Sequence, residues 1–274
     1  MQRSPFFLVF LLMVVPTLAQ QPPAPGPPTQ AGAPGQRRPG GFGDPFAGQK
    51  RLRALVISGG CCHDYSAQNK ILINNVDKAL PVDWTVLIEG GRGTKGRVAL
   101  YDTPDWSKGF DIVVHNECYA DNSDPKLIRQ IAAGHKTGIP AIFIHCSLHS
   151  YRAATVDDWR ELIGTTSKRH TQAHNISVNI DDKESNIVKG IPAGYKTPVD
   201  ELYVIEKFWP NAKSLASAVS PDDPKTSYSM MWTNNYNGAR VFGTSLGHGM
   251  DTWNDPVYQD VLVRAFKWAV KREQ

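Results

Sequence analysis

The stretch Ala141-Ile142-Phe143-Ile144-His145-Cys146-Ser147-Leu148-His149-Ser150-Tyr151 decides the fold prediction for this chain. It begins with an apolar run that is too short for a helix and too apolar for a surface strand. Gly138 and Pro140 close the preceding segment, so we predict that residues 140–145 form a buried central strand of an α/β sheet. Ligands bind outside the carboxyl ends of strands in open α/β sheets, which makes the residues after this strand the main candidate for a functional site.

A strand-then-helix pattern precedes that stretch. Strands are predicted at 53–58, 84–88 and 110–114, with an amphipathic helix after the first. Ser123-Asp124-Pro125 supplies a capping residue and a proline for a helix that ends near Thr137. Successive βα units predict a parallel sheet with right-handed crossovers. The later half is less regular, with strands predicted at 176–180, 201–207, 214–219, 229–233 and 240–246, and helices at 157–163 and 256–272.

The amino-terminal residues predict an export signal followed by a linker. A basic start, an apolar run at 6–15 and Thr17-Leu18-Ala19 are typical of a secretory signal peptide over residues 1–19. The apolar run is about half of the roughly 20 residues that a membrane-spanning helix needs, so we expect no membrane association after cleavage. Residues 20–49 are rich in Pro and Gly, which predicts a disordered linker. We therefore expect an exported protein, periplasmic or extracellular, with one α/β domain over residues 50–274.

The charge distribution argues against nucleic acid as a partner. The chain carries a formal net charge of +4, and most of it lies before residue 51, where Arg3, Arg37, Arg38 and Lys50 outnumber Asp44. The remaining domain is close to neutral and has no basic patch that would indicate nucleic acid or an anionic membrane. The sequence leaves the oligomeric state open.

Four cysteines, at positions 61, 62, 118 and 146, each follow a predicted strand. In an exported chain they could form two disulfides. Their common location at one edge of the sheet favours free thiols or metal ligands instead, and at least one disulfide stays the alternative.

Several motifs along the chain resemble those of one family. Gly59-Gly60-x-x-His63-Asp64 follows the first strand, and Asp200-Glu201-Leu202-Tyr203 and Leu246-Gly247-His248 come later. Taken in this order over nearly all of residues 51–272, they resemble the ThuA-like (trehalose utilisation) family. The resemblance implies the class I glutamine amidotransferase-like fold, a flavodoxin-like three-layer α/β sandwich with a mainly parallel central sheet. It also implies a role in carbohydrate metabolism, notably of trehalose and oxidised disaccharides.

The same superfamily places a nucleophilic cysteine on the sharp turn after a central strand, and Cys146 occupies what looks like that turn. Ile144 and Leu148 stand where the superfamily usually has glycine. Because small residues let a strand–helix elbow bend with its nucleophile exposed, we predict that Cys146 is not an essential nucleophile.

Histidines at the carboxyl edge of the predicted sheet form the main candidate site. We expect His63, His149 and His248 to share one pocket, with Glu117 or Glu201 beside them, and to bind a divalent transition metal, zinc or similar, or to transfer protons. His145 should point inward and orient the others through a hydrogen bond. Structural roles for these histidines remain an alternative, and no nucleotide cofactor is expected.

Acidic and aromatic residues complete the predicted site. Glu117 is a candidate general base beside the catalytic histidines, and an ion pair with Arg152 is its alternative. Glu201 either binds sugar hydroxyls or braces a loop together with Asp200. Aromatic rings suit the apolar face of a pyranose, so we predict a small carbohydrate as ligand. The predicted binding residues are Tyr65, Tyr119, Tyr151, Glu201 and Trp232.

Three functions are consistent with these patterns. The first is a sugar-active enzyme that uses acid–base chemistry, with or without a metal, on a sugar or keto-sugar. The second is a cysteine-dependent hydrolase or amidotransferase-like enzyme that uses Cys146 with a neighbouring imidazole as base. The third is a carbohydrate-binding module without catalysis. The geometry of the residues at the sheet edge discriminates among them.

Overall fold

The computed structural model describes residues 45–272. The predicted signal peptide and residues 20–44 of the predicted linker lie outside the described residues. Within 45–272, every helix falls short of the length and apolar character needed to cross a bilayer.

The first half of the domain has the predicted strand–helix order. Its elements are β1 (Leu52–Gly60), α1 (Tyr65–Val76), β2 (Val82–Glu89), β3 (Ile112–Cys118), α2 (Pro125–Ala133) and β4 (Ala141–Ile144). The Asp64 side chain accepts a hydrogen bond from the Ala67 amide at the start of α1. Asp124 does the same for α2, where Pro125 occupies the first turn, as predicted.

The second half contains short strands and three helices. Its elements are α3 (Asp158–Ile163), β5 (Thr165–His170), β6 (His174–Ser177), β7 (Asn179–Ile180), β8 (Lys196–Asp200), β9 (Tyr203–Phe208), β10 (Lys213–Val219), β11 (Ser227–Tyr236), β12 (Ala239–Thr244), α4 (Met250–Asn254) and α5 (Pro256–Ala269). The strand predicted at 201–207 is wrong at its start, because Glu201 and Leu202 lie in a break between β8 and β9. The helix predicted at 256–272 ends at Ala269.

Eight strands form the central sheet, in the order β2-β1-β3-β4-β12-β11-β10-β7. The pairs from β2 through β12 are parallel, whereas β11, β10 and β7 add antiparallel strands at one side. β5 with β9 and β6 with β8 form two separate antiparallel ribbons. The mainly parallel α/β sheet is therefore confirmed.

Two hydrophobic cores lie on the two faces of this sheet. One contains Leu72 of α1 and Phe266 of α5, and the other contains Ile128 of α2 and Trp159 of α3. Helices thus cover both faces, which is the three-layer arrangement that buried parallel strands require. The central strand β4 is fully buried, as its apolar sequence predicted.

Candidate functional site

Three histidines converge at the carboxyl edge of the sheet. His63 follows β1, His145 follows β4 and His248 follows β12, so three distant segments meet in one place. The ring centroids of His63 and His145 are 5.0 Å apart, those of His63 and His248 5.4 Å, and those of His145 and His248 5.3 Å. One ligand atom from each ring lies within 4.8 Å of the other two. We call these three residues the histidine trio.

His145 occupies the sharp turn after the central strand. Its φ of 47° is in the left-handed region that non-glycine residues seldom adopt, and a 3₁₀ turn (His145–His149) begins there. The positive φ of this turn therefore falls on His145, and Cys146 comes one residue later. The turn directs the His145 ring towards His63 and His248. The prediction that His145 points inward and only orients the other histidines is therefore wrong.

The tautomer of His145 follows from its partner. Its Nδ1 is 2.7 Å from the Ser245 carbonyl oxygen, and a carbonyl only accepts, so Nδ1 carries a hydrogen and donates it. Burial, with the neighbouring His63, holds the pKa of His145 well below its ordinary value. The ring is therefore neutral with Nε2 unprotonated, and this nitrogen accepts a hydrogen bond from the Tyr203 hydroxyl at 3.4 Å and lies 3.6 Å from Glu201 Oε2.

His63 shows the same pattern. Its Nδ1 lies 3.2 Å from the His248 carbonyl oxygen and donates to it. Burial, together with the proximity of His248, lowers the pKa of His63 to about 4. His63 is therefore neutral at pH 7 with Nε2 unprotonated. Two of the three imidazoles thus expose an unprotonated Nε2 while a backbone carbonyl holds the other nitrogen, which is how metal-ligating histidines are usually oriented.

Asp200 joins the two loops that carry His248 and Glu201. It is fully buried at the end of β8. Its carboxylate accepts four hydrogen bonds, from the Glu201, Gly247 and His248 amides and the Thr252 hydroxyl. Burial raises the pKa of Asp200, although these hydrogen bonds oppose the shift. Of the two roles predicted for the adjacent acids, Asp200 therefore has the bracing role.

Glu201 is the acidic side chain at the trio. Its Oε1 is 3.4 Å from His248 Nδ1 and its Oε2 is 3.6 Å from His145 Nε2. The side chain is 12% exposed, so it lies partly out of water but within reach of a ligand. Burial raises the pKa of Glu201, against the opposing effect of His248 and His170. A partly buried carboxyl group beside imidazoles is the type of side chain that acts as a general acid or base.

His149 is not part of the trio, contrary to prediction. Its Nε2 is 2.9 Å from the Ser167 hydroxyl, and its ring stacks on Tyr203 with centroids 3.9 Å apart. Burial, with Arg152 nearby, lowers the pKa of His149 to about 3. The 3₁₀ turn rotates His149 away from His145, whereas an α-helix would have aligned residues four apart.

Glu117 was predicted to act as a general base beside the histidines, but it lies away from the trio. It is the penultimate residue of β3, fully buried, and its Oε1 accepts from Tyr101 at 2.7 Å and lies 3.0 Å from His115 Nδ1. Its other oxygen has no partner among the described residues. The predicted alternative, an ion pair with Arg152, is wrong because Arg152 instead donates to the Lys168 carbonyl. Of the two acids predicted to lie beside the histidines, Glu117 or Glu201, Glu201 is the one in that position.

The predicted sugar-binding aromatics are mostly packing residues. Trp232 is fully buried and donates from its indole nitrogen to the Ile163 carbonyl. Tyr119 is buried against Gly59 and Gly60 at the end of β1 and donates to the Glu89 carbonyl. Tyr151 is buried too. These three placements correct the expectation that the rings line a ligand site. Tyr65 donates to the Cys61 carbonyl, and its ring lies 5.8 Å from that of His63, beside the trio.

All four cysteines are paired, which corrects the preference for free thiols. Cys61 bonds to Cys62, and Cys118 bonds to Cys146. A cysteine nucleophile must be a free thiolate. Cys146 is disulfide-bonded in this structure. The geometry therefore does not support a cysteine-dependent hydrolase or amidotransferase-like enzyme.

Two residues near the trio were not included in the site predicted from the sequence. Tyr203 lies with its ring 5.0 Å from that of His145, and its hydroxyl is 3.4 Å from His145 Nε2. His170 Nδ1 is 3.5 Å from Glu201 Oε1. Tyr203 belongs to the Asp200-Glu201-Leu202-Tyr203 block, so that motif was its available signal. His170 lies in an exposed part of β5, where no sequence pattern marks it.

Comparison with solved structures finds ThuA-like proteins. A ThuA-like protein from Parabacteroides merdae superposes with a TM-score of 0.66 at 20% identity, covering 81% of this chain and 90% of that one. A second, from Bacteroides uniformis, has a TM-score of 0.61 at 14% identity, covering 84% and 95%. A protein from Salmonella typhimurium named as cytoplasmic has a TM-score of 0.52 at 11% identity, covering 78% and 98%. These likenesses concern the fold.

Comparison with curated proteins finds no match. The family model for ThuA, described as trehalose utilisation, matches residues 55–269. That range spans the whole sheet apart from the start of β1 and includes all three histidines of the trio. The chain therefore belongs to the ThuA (trehalose utilisation) family, whose members share the glutamine amidotransferase-like fold.

Proposed function

We propose that this chain is an exported enzyme of carbohydrate metabolism that acts on a sugar or keto-sugar at the histidine trio. The convergence of His63, His145 and His248 from three separate loops carries the proposal. Three imidazoles and a partly buried carboxylate lie together at the carboxyl edge of an α/β sheet, where ligands bind in this class of fold. Such a cluster indicates a functional site more than a structural role.

The trio suits a divalent transition metal, zinc or similar. Neutral imidazoles with an unprotonated Nε2 are the required ligand form, and His63 and His145 both have it. Nitrogens around tetrahedral zinc are about 3.4 Å apart when each Zn–N bond is ~2.1 Å, so small side-chain rotations from the present separation of at most 4.8 Å would suffice. A bound metal would polarise a substrate oxygen or lower the pKa of a bound water.

The protein residues have separate tasks in this proposal. Ser245 holds the His145 ring in one tautomer, and the His248 carbonyl does the same for His63. Glu201 accepts or donates a proton at the hydroxyl or water that reacts, since it lies beside His145 and His248 and burial raises its pKa.

A sugar ligand has an open side from which to approach. The His248 side chain is 43% exposed, whereas His145 beneath it is 2% exposed. The trio thus has a buried floor and a solvent-facing wall. The assignment to carbohydrates comes from the family, whose description is trehalose utilisation.

Export rests on the predicted signal peptide over residues 1–19. The Salmonella relative is named as cytoplasmic, so location differs within the fold if this prediction holds. Sequencing the amino terminus of the protein recovered from its native cells tests it. A mature chain that starts at Gln20 supports export, and a chain that retains residues 1–19 contradicts it.

The test of the trio compares two histidine variants. Protein purified without chelators is analysed for metal and assayed on disaccharides and their keto forms. We expect His248→Ala to lose metal and turnover while its unfolding midpoint stays near that of the parent. His174→Ala is the matched control, because this histidine lies outside the trio, at the start of β6, and its ring hydrogen-bonds to the Gln172 carbonyl. The proposal fails if His248→Ala keeps both metal content and turnover.

A further inference from the structure

The four cysteines form a single cluster, and the strand order explains why. In the sheet, β3 lies between β1 and β4, and the cysteines stand at the carboxyl ends of these three strands. Gly60 is in register with Cys118, and the Cys61 amide donates to the Cys118 carbonyl. Cys118 consequently has Cys61 on one side and Cys146 on the other.

The two disulfides are in contact with each other. Cys61 Sγ is 3.6 Å from Cys118 Sγ, and the sulfurs of Cys61, Cys118 and Cys146 all lie within 4.8 Å of one another. Gly60 makes this approach feasible, since a Cβ at that position would lie 2.1 Å from the Cys118 carbonyl oxygen. Neighbouring disulfides at this separation can exchange partners once one sulfur becomes a thiolate.

Exposure differs along the cluster. Cys62 is exposed, Cys61 and Cys146 are half-buried, and Cys118 is 2% exposed. A reductant from solvent therefore reaches the Cys61–Cys62 pair first, and Cys118 lies behind it.

We propose that these cysteines act as a thiol–disulfide relay, in which the outer pair Cys61–Cys62 takes electrons from an external dithiol and passes them to the inner pair Cys118–Cys146. The partner is defined by its chemistry, a dithiol that becomes a disulfide. The proposal is independent of the sugar-active site, because it concerns only the bonding of sulfurs.

The relay consists of one reduction of the outer pair followed by two thiol–disulfide exchanges. The dithiol reduces Cys61–Cys62 with two electrons, gives two protons to the two sulfurs and leaves as a disulfide. Cys61, as thiolate, then attacks Cys118 Sγ, so that the Cys61–Cys118 bond forms and the Cys118–Cys146 bond breaks. Cys146 leaves as a thiolate and takes up the proton that Cys61 lost. Cys62 finally attacks Cys61, which restores the outer disulfide and releases Cys118 as a thiol.

A pair of single variants tests the central exchange without any reductant. Cys62→Ser leaves Cys61 as a free thiol next to Cys118, whereas Cys61→Ser leaves Cys62 free on the exposed side. Both lose the same disulfide, so each controls for the effect of that loss on folding. The purified proteins are quenched in acid, alkylated and mapped by mass spectrometry.

We expect Cys62→Ser to contain a Cys61–Cys118 bond with Cys146 alkylated. Cys61→Ser should keep Cys118–Cys146 and carry the label on Cys62. The relay is refuted if both variants keep Cys118–Cys146 and carry the label only on the remaining outer cysteine.

A rate measurement extends the test and does not require the single variants to fold equally well. The full chain and the double variant Cys61→Ser/Cys62→Ser are treated with equimolar dithiothreitol, and labelling of Cys118 and Cys146 is followed in time. The relay predicts that the inner pair is reduced about tenfold faster or more when the outer pair is present. Equal rates in the two proteins overturn it.

Discussion

Replacing Asp200 with alanine should both destabilise the domain and disorder the histidine trio. The Asp200 carboxylate is the only group among the described residues that accepts hydrogen bonds from both the Glu201 amide and the Gly247-His248 amides. It also accepts from the Thr252 hydroxyl at 2.6 Å. Asp200→Ala removes all four bonds and places no other acceptor at the end of β8.

The cost follows from the donors left behind. Three backbone N–H groups and one hydroxyl lose their partner, and each unsatisfied buried donor costs about 1–3 kcal/mol. Burial raises the pKa of Asp200 because a buried negative charge is unfavourable. Removing the carboxylate therefore also removes this unfavourable contribution, which offsets part of the loss. The four donors sum to about 4–12 kcal/mol, and we therefore expect a loss in the lower half of that range, about 4–8 kcal/mol in the free energy of unfolding.

Urea unfolding measures this loss, with Thr252→Val as the matched control. That variant keeps the side-chain shape and removes a single hydrogen bond to Asp200, for an expected loss of about 1.5–3 kcal/mol. Metal content measured on the same samples should fall in Asp200→Ala and stay unchanged in Thr252→Val. If Asp200→Ala costs no more than Thr252→Val, the carboxylate does not hold the two loops together and this account of the site is wrong.

Two further predictions concern stability. Burial lowers the pKa of His63 to about 4 and those of His135 and His149 to about 3, below the ordinary 6.5, so the unfolded chain takes up protons first. The free energy of unfolding should be unaffected above pH 6.5 and fall by several kcal/mol as the pH drops towards 4. Carboxyl groups of raised pKa offset part of this loss. A urea midpoint that stays constant from pH 7 to 4 contradicts the prediction. Separately, a Cβ at Gly243 would lie 2.5 Å from the Trp232 ring, so Gly243→Ala should cost about 1–3 kcal/mol. In Trp232→Phe/Gly243→Ala that cost should shrink, and strictly additive losses in a double-mutant cycle would contradict the clash.

Local sequence patterns were sufficient for the strands and helices that bury apolar faces. The run at 141–144 predicted a buried strand, and Asp124-Pro125 predicted a helix start, because both signals depend on neighbouring residues alone. The prediction for β3 stopped at Val114, although the strand continues to Cys118. The polar residues His115 and Glu117 are buried because they hydrogen-bond to each other, to Tyr101 and, for His115, to His135, and no local pattern reveals such partners.

The sequence also determined that histidines would gather at one edge of the sheet, since βα units in order place their loops there. Which histidines enter the trio was decided by tertiary structure. One backbone angle at His145 turns its ring into the site, and the 3₁₀ turn carries His149 towards Ser167. These choices depend on packing between distant segments.

The cysteines show the same division. Their positions after strands were evident from the sequence, but the Cys118–Cys146 bond and the contact of this pair with Cys61 depend on strand order, which places β3 between β1 and β4. The sequence separates Cys61 from Cys118 by a long segment, and only the parallel register of Gly60 with Cys118 brings their sulfurs into contact. Residue type and local pattern thus determined the elements and the chemistry available at the sheet edge. The long-range order of the strands decided which of these side chains meet, because their contacts form between segments that are distant in the chain.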